Sequence, residues 1–397
     1  MPRTLRDEDR VVKPERAGSP GEISRGSVYL RPSLTGQTSK TYRYRPMGLV
    51  RLHLIASAVV LALATFASSA WAGKNALQLL NLCPSAASVL NVPECSWVHR
   101  GADGSISGRV VPDPRGLQDF RSLMSELGVV LAPRIPMVAD TGGIAGFEFS
   151  AELGVTEISH NRSFWNGVQG VSATNPSATR PDGQLTTVGA FVRKGIWLPV
   201  PTMELGLGAV HLLDSHLLAW QGYAKLAIHE GFDDWPFPSL AVRGAISYLT
   251  GTSQVTMTTA TLDVLVSKGF GLLKTARIEP FAGWSLIAIF AHSGRIDATP
   301  LCDASKLAAM PVGSNPGTQY CSPSQAGKTN DLDANFSFSA QNAITRYRLF
   351  AGFKLRFAVV FFSAQYELYL AGGSRDGIVK DQSAMQNALS LSTGIHF

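Results

Sequence analysis

The sequence has little charge and few long apolar runs, and each shortage excludes a class of protein. Charged residues make up 16% of the 397 residues and apolar residues 45%. This balance is too apolar for a disordered chain. A run of 18 or more predominantly apolar residues, as a membrane-spanning helix needs, occurs once, at residues 52–72. The rest of the chain is therefore either soluble or contacts lipid as β-strands.

An excess of positive charge is also missing from the part of the chain that is expected to fold. The formal net charge is +6, but residues 73–397 hold 24 Lys and Arg against 24 Asp and Glu. A nucleic-acid-binding surface needs clustered positive charge. We therefore expect no nucleic-acid partner.

The apolar run has the features of a secretory signal peptide. One Arg precedes it, and Ala70 and Ala72 form a small-x-small cleavage pattern immediately before Gly73. We expect residues 47–72 to be a signal peptide that is cleaved before Gly73, with an N-terminal anchor helix as the alternative.

Two segments flank this signal. Residues 1–46 are polar and dotted with proline, which is typical of disorder, and we expect either a disordered extension or a true translation start at Met47. Residues 73–142 contain apolar residues at helical spacing from Leu117 to Leu127. We expect a periplasmic or plug region with one amphipathic helix, or else a flexible leader.

The four cysteines show no C-x-x-C spacing, so a metal clip or thioredoxin-like chemistry is not expected. An even number of cysteines in an exported chain favours disulfides. We expect two, each closing a local loop, with four reduced thiols as the alternative. The expected pairs are Cys83 with Cys95 and Cys302 with Cys321.

From residue 143 onward, polar and apolar residues alternate with a period of two, which is typical of strands with two different faces. The strands are longer than those of most soluble proteins and long enough to cross a bilayer. The pattern predicts an all-β fold for residues 143–397, a transmembrane antiparallel up-and-down barrel. About ten segments alternate, near residues 144–158, 184–198, 202–213, 215–230, 237–251, 255–269, 274–292, 342–355, 357–371 and 384–397.

The connections support an even number of strands. Every connection longer than ten residues joins an odd-numbered segment to an even-numbered one. Outer-membrane barrels have long extracellular loops, short periplasmic turns and both barrel ends in the periplasm. Ten strands satisfy this rule; twelve are possible if residues 335–340 add a hairpin.

The chain resembles bacterial outer-membrane barrel proteins as a general class, and no closer family is evident. The resemblance rests on the export signal, the amphipathic strands and a final strand that ends in an aromatic residue. It implies a Gram-negative outer-membrane location, outer-membrane lipid as a partner, and recognition by the barrel-assembly machinery. The residues that form this assembly signal are Leu389, Leu391, Ile395 and Phe397.

Aromatic residues near the strand ends are expected to form an interfacial girdle, with an ordinary apolar core as the alternative. They are Trp165, Trp197, Trp235, Phe237, Tyr248, Phe290, Tyr347 and Phe397.

Thirteen charged residues are predicted to face the lumen, and acids and bases nearly cancel. A ten-stranded barrel is barely wider than its own side chains, so we expect these charges to pair. The alternative is a polar path for a small solute, with Arg346, Arg348 and Lys354 as a stripe that attracts anions. The predicted residues are Glu148, Glu152, Arg193, Glu204, Lys225, Arg243, Asp263, Arg277, Glu279, Arg346, Arg348, Lys354 and Glu367.

One candidate for chemistry lies at an outer turn, where His211, Asp214 and His216 could bind a metal or activate water. No G-x-S-x-G motif supports a hydrolase. We expect no cofactor, no resident metal and no catalytic residue. We expect a narrow pore or passive transporter for a small solute. The alternative is a surface-exposed structural or adhesin-type barrel with a filled lumen, and a second alternative is an outer-membrane hydrolase. The oligomeric state has no signal in the sequence.

Overall fold

The computed structural model describes residues 73–82, 99–100, 106–107, 114–134, 138–143, 146–168, 181–197, 202–231, 237–273, 275–297, 335–338, 342–373 and 379–397. The N-terminal extension, the signal peptide with Ala70 and Ala72, and all four cysteines lie outside the described residues, so the signal and disulfide predictions stay predictions.

Ten antiparallel strands form a closed up-and-down barrel. Each strand pairs with the next one along the chain, and the last strand pairs with the first. The fold class predicted from the alternation is confirmed. The strands are β1 Phe147–Glu157, β2 Gln184–Ile196, β3 Met203–Leu212, β4 Leu218–His229, β5 Ser239–Thr250, β6 Val255–Ser267, β7 Ala276–Ser293, β8 Ile344–Phe357, β9 Val360–Tyr369 and β10 Gln386–His396.

The two additional barrel strands that the sequence left possible do not form. Asn335–Phe336 pairs with Ile296–Asp297 in a two-stranded sheet that is separate from the barrel, and β7 pairs directly with β8. Another short strand, Phe270–Leu273, pairs with the start of β7 and is not an additional strand of the closed barrel. Closure is thus achieved by ten strands.

Over part of its length, each strand has polar residues on its buried face and apolar residues on its exposed face. On β6, Thr261 and Asp263 are buried, whereas Leu262 and Val264 are exposed. A water-soluble protein places its apolar residues inside, so this inverted arrangement suits an apolar surrounding medium. The alternation along the sequence follows directly from the two environments on either side of the barrel wall.

The two ends of the barrel differ in the length of their connections. We call the end that carries the connections after β2, β4, β6 and β8 the short-turn end, and the opposite end the long-loop end. At the short-turn end β8 and β9 are joined by Ala358 and Val359 alone, and Ala358 has a φ of 50°. At the long-loop end Asp214 has a φ of 55° in the tight turn between β3 and β4. In outer-membrane barrels long loops face outward and short turns face the periplasm.

The one α-helix among the described residues, α1 Pro114–Val130, lies inside the barrel toward its long-loop end. Gly128 lies against β7, where a Cβ atom would come within 2.6 Å of Ile289 Cδ1. Glycine therefore allows the helix to approach the wall closely. Within the described residues, no helix is both long and apolar enough to cross a membrane.

An arginine on the outer face tests whether lipid surrounds the barrel. Leu262 is 49% exposed on the outer face at mid-strand. Leu262→Arg places a charge there, and we expect it to lower the free energy of unfolding by about 2–4 kcal/mol in lipid vesicles. Thr256→Arg, at the rim of the same strand, should cost about 0–1 kcal/mol. The measurement is urea-induced unfolding of both variants in vesicles, and equal losses for the two would contradict a lipid-facing belt.

Candidate functional site

The lumen is filled by the segment that precedes β1. In the long-loop half of the barrel, α1 contributes Phe120, Leu123, Met124 and Leu127 to an apolar cluster with residues of the barrel wall. The wall residues in this cluster face inward and are themselves apolar. They include Leu217, Ala219, Leu249, Val255, Met257, Ile287, Ile289, Ala291 and Ile344. The inner face of the barrel is therefore polar over only part of its height.

The opposite face of α1 is polar, yet it is buried too. Glu126, which is 0% exposed, accepts hydrogen bonds from the backbone N–H of Ser159 at 2.9 Å and of Ala384 at 3.1 Å. It also accepts one from Trp165 Nε1 at 2.8 Å. Hydrogen bonds to a charged acceptor each contribute about 1.5–3 kcal/mol. This one carboxylate therefore holds the helix to two different loops of the long-loop end.

A second polar contact ties α1 to the barrel wall. Arg346 on β8 donates to Ser125 Oγ at 3.0 Å and to Ser383 Oγ at 2.9 Å. Ser125 in turn donates to Asp381 Oδ2 at 2.7 Å. Arg346 also donates to the carbonyl oxygen of Ala384 at 2.9 Å. The helix and the connection between β9 and β10 thus accept the hydrogen bonds of this guanidinium.

Beyond α1 the chain continues through the charged half of the lumen without helical structure. Residues 131–134 and 138–143 line this path, and their main-chain carbonyl groups accept hydrogen bonds from the barrel wall. Arg348 Nη1 donates to Pro133 O at 2.9 Å, and Lys225 Nζ donates to Asp140 O at 2.9 Å. The segment reaches the short-turn end at Gly146, whose carbonyl accepts from Gly195 N at 3.1 Å.

Most of the charges that face the lumen form ion pairs in the charged half. Asp263 lies 2.5 Å from Arg243 Nε and 3.0 Å from Arg348 Nη2. Glu204 lies 3.3 Å from Lys225 Nζ and accepts a hydrogen bond from Tyr223 at 2.8 Å. An unpaired charge in such a place costs several kcal/mol, so the pairing decides whether this interior is stable.

The remaining acids of the lumen are compensated in the same way. Glu367 lies 3.9 Å from both Arg134, on the chain that follows α1, and Arg348. Glu279 pairs with Arg277 at 2.7 Å and with Arg356 at 3.6 Å. Glu152 is the exception, because within the described residues its buried Oε2 atom has no hydrogen-bond partner and the carboxylate forms no ion pair.

The short-turn mouth of the lumen is lined by both signs of charge. Glu148 pairs with Arg193 and, at 2.7 Å, with Lys354, and His396 Nδ1 lies 3.3 Å from the same carboxylate. The space open to a water-sized sphere here is about 20 Å³, room for roughly one water molecule. Residues of the segment before β1, among them Val138, Asp140 and Thr141, line this space.

The structure places the predicted lumen residues as follows. All thirteen are on barrel strands, and all except the half-buried Arg277 are buried. The three bases of the expected anion stripe do not act together: Arg346 bonds to the helix and a loop, Arg348 to Asp263, and Lys354 to Glu148. Each is therefore held by protein groups rather than left for a solute.

Other predicted features have different outcomes. His211, Asp214 and His216 share one turn, but within the described part of the chain no group of three or more His, Cys, Asp or Glu side chains could hold a metal. The girdle prediction is wrong for Trp165, which is 1% exposed and bonds to Glu126. Trp235 lies outside the described residues. The exposed girdle residues are Trp197, Phe237, Tyr248, Phe290, Tyr347 and Phe397.

The residues of the expected assembly signal lie on the outer face of β10 or just after it. Leu389, Leu391 and Phe397 are exposed and Ile395 is partly exposed. The main chain of Phe397 bonds reciprocally with that of Phe147, which joins the chain end to the start of β1. This position leaves the apolar side chains available to lipid or to a partner.

Sequence reasoning missed the polar residues of α1 and the loops they bind. The helical spacing identified only the apolar residues of α1, whereas Ser125 and Glu126 on its polar face are also 0% exposed. A signal was present: the strand ends near the long loops carry inward apolar residues such as Ile287 and Ile289, which require an apolar partner inside the barrel.

Comparisons with known proteins give fold-level likenesses alone. No family model matches the chain, and no curated protein matches it. Among solved structures, Ail of Yersinia pestis is 9% identical, with 64% of this chain and 99% of that chain covered and a TM-score of 0.22. The N-terminal β-barrel domain of OprF from Pseudomonas aeruginosa is 12% identical, with coverages of 64% and 99% and a TM-score of 0.21. Outer membrane phospholipase A from Escherichia coli is 7% identical, with coverages of 70% and 98% and a TM-score of 0.22. The chain has the architecture of an outer-membrane β-barrel, and no closer family is placed.

Asp263 tests the importance of buried charge pairing. Asp263→Asn leaves Arg243 and Arg348 without their shared countercharge, and we expect the free energy of unfolding to fall by about 3–5 kcal/mol. Asp182→Asn is the matched control, because Asp182 pairs with Lys74 in an exposed position and its loss should cost under about 1 kcal/mol. Denaturant titrations of both variants in vesicles measure the difference; a loss for Asp263→Asn as small as that of the control would disprove the role given to the pairs.

Proposed function

We propose that this protein is an outer-membrane barrel that is closed by its own N-terminal segment and acts as a surface-exposed structural barrel rather than as an open pore. The observation that carries this proposal is the filled lumen. Apolar residues of α1 occupy the long-loop half, and residues 131–134 and 138–143 occupy the charged half. The function that the sequence favoured, a passive pore for a small solute, would require this segment to leave the lumen.

Contacts at both levels of the lumen support a stably closed state. Glu126 holds α1 to the loops after β1 and β9, and Arg346 holds Ser125 to the wall. Below them Arg348 and Lys225 bind the main chain of the extended segment. Because these groups are buried, separating the segment from the wall would leave several of them without partners.

Two partners follow from the outer surface and remain part of the proposal. Outer-membrane lipid would cover the exposed apolar residues of the strands. The barrel-assembly machinery would bind the final strand through Leu389, Leu391, Ile395 and Phe397. A small solute is a weaker candidate, since the N-terminal segment occupies the lumen.

Single-channel recording in planar bilayers tests the closed state. We expect the refolded protein to insert without discrete conductance steps. Glu126→Ala removes the acceptor of three hydrogen bonds and should produce intermittent steps, because α1 then leaves the lumen more often. Asp119→Ala is the matched control on the same helix, since Asp119 accepts one hydrogen bond from Ser163 near the surface, and it should stay silent.

Stable, reproducible steps from the unsubstituted protein would refute closure and restore the solute pore as the leading function. A gel-mobility assay for folded barrel confirms that each variant inserted as a barrel before its recordings are compared.

A further inference from the structure

The first described residues of the chain lie at the long-loop end of the barrel. The N–H of Asn75 donates to Asp214 O at 2.9 Å, in the tight turn between β3 and β4. Its side-chain amide donates to Leu213 O at 3.0 Å. Leu79 N donates to Gln254 Oε1 at 2.7 Å, just before β6. Residues 73–82 are therefore attached to two connections of the same end.

The electrostatic contact of Lys74 agrees with this placement. Lys74 pairs with Asp182 in the connection between β1 and β2, and the hydrogen bond that the lysine donates to this carboxylate raises the pKa of the lysine above its ordinary value. Both side chains are exposed to solvent. Three separate connections of the long-loop end thus bind the segment that starts at Gly73.

The same stretch of chain finishes at the opposite end. After α1 it passes through the charged half of the lumen and enters β1 at the short-turn end, beside Gly195 and Phe397. Between Gly73 and Phe147 the described chain therefore changes ends of the barrel, and it does so through the lumen. If the long loops face outward, the start of this segment faces outward as well.

The wall of the charged half binds this chain mainly through its carbonyl groups. Gln221 Nε2 donates to Leu131 O at 3.2 Å and to Ala132 O at 3.4 Å, and Ser247 Oγ donates to Leu131 O at 2.9 Å. Lys225 Nζ donates to Val138 O at 3.1 Å and to Asp140 O at 2.9 Å.

Two further donors on the other side of the barrel complete the set. Arg348 Nη1 donates to Pro133 O at 2.9 Å and Gln365 Nε2 to Arg134 O at 3.4 Å. A carbonyl group is present in every residue, so a wall that binds carbonyls accepts an extended polypeptide whatever its side chains. Such a wall can bind successive parts of a chain that slides along it.

We infer that the charged half of the lumen is a binding channel for an extended polypeptide main chain, and that through it this protein passes its own N-terminal segment to the outer face. Residues 73–82 are then displayed on the cell surface, and α1 folds in the long-loop half once it has passed the charged half. The inference rests on the proposed function, because the segment that is displayed is the one that closes the lumen.

Labelling of introduced cysteines on intact cells tests the display. Lys74→Cys reports the N-terminal segment, Asn161→Cys the long-loop end and Val359→Cys the short-turn end, all at exposed positions. A membrane-impermeant maleimide should label the first two on intact cells and the third only after the outer membrane is permeabilised. The unsubstituted protein, with its four native cysteines, supplies the background. Labelling of Lys74→Cys only after permeabilisation, together with Val359→Cys, would overturn the inference.

The labelling of Lys74→Cys tests the display separately from closure, which the conductance recordings test. Surface labelling of Lys74→Cys in a protein that conducts would leave the display intact and refute closure. A silent barrel whose Lys74→Cys is protected on intact cells would leave closure intact and refute the display.

A second pair of variants tests the binding of the main chain. Gln221→Leu combined with Ser247→Ala removes the donors to Leu131 and Ala132, and we expect a smaller fraction of Lys74→Cys to reach the surface. Ser363→Ala combined with Ser390→Ala is the matched control, because both hydroxyl groups are buried in the lumen and neither makes a hydrogen bond to any described residue. An unchanged surface fraction in the first pair would overturn the main-chain channel.

Discussion

The compensation of charge inside the lumen is the constraint on which the rest of the structure depends. A closed barrel satisfies its own main-chain groups, so lipid can cover its outside. Its inward charged side chains must find partners within the protein, because there is little room for bulk water among them. Pairs such as Asp263 with Arg243 and Arg348 meet this requirement within the wall. At Arg346 and Lys225 the N-terminal segment supplies further acceptors, beside those of the wall and its loops.

The two halves of the lumen differ in polarity, and the segment that precedes β1 fills both. The long-loop half is apolar and takes a helix whose apolar face fills it, while Glu126 and Ser125 on the polar face bind the loops. The charged half is narrow and takes an extended chain, whose carbonyl groups accept from Gln221, Lys225 and Arg348.

Much of the barrel could be predicted because strand alternation is a local property. Along each strand between lipid and a polar interior, polar and apolar residues alternate. This alternation locates the ten strands to within a few residues at their ends. The path of the N-terminal segment could not be found in this way. The bonds of Glu126 to Ser159, Trp165 and Ala384 join positions far apart in sequence, and no local pattern records them. Trp165 was assigned to the girdle for the same reason.

The measurement that tests the filled lumen most directly is hydrogen–deuterium exchange of the protein in lipid vesicles, followed by mass spectrometry of peptides from α1. A helix enclosed in the barrel and held by Glu126 and Arg346 should exchange as slowly over residues 120–130 as the barrel strands do. Exchange of this peptide at the rate of an unstructured chain, while the strands stay protected, would show that the segment lies outside the lumen and would contradict the account.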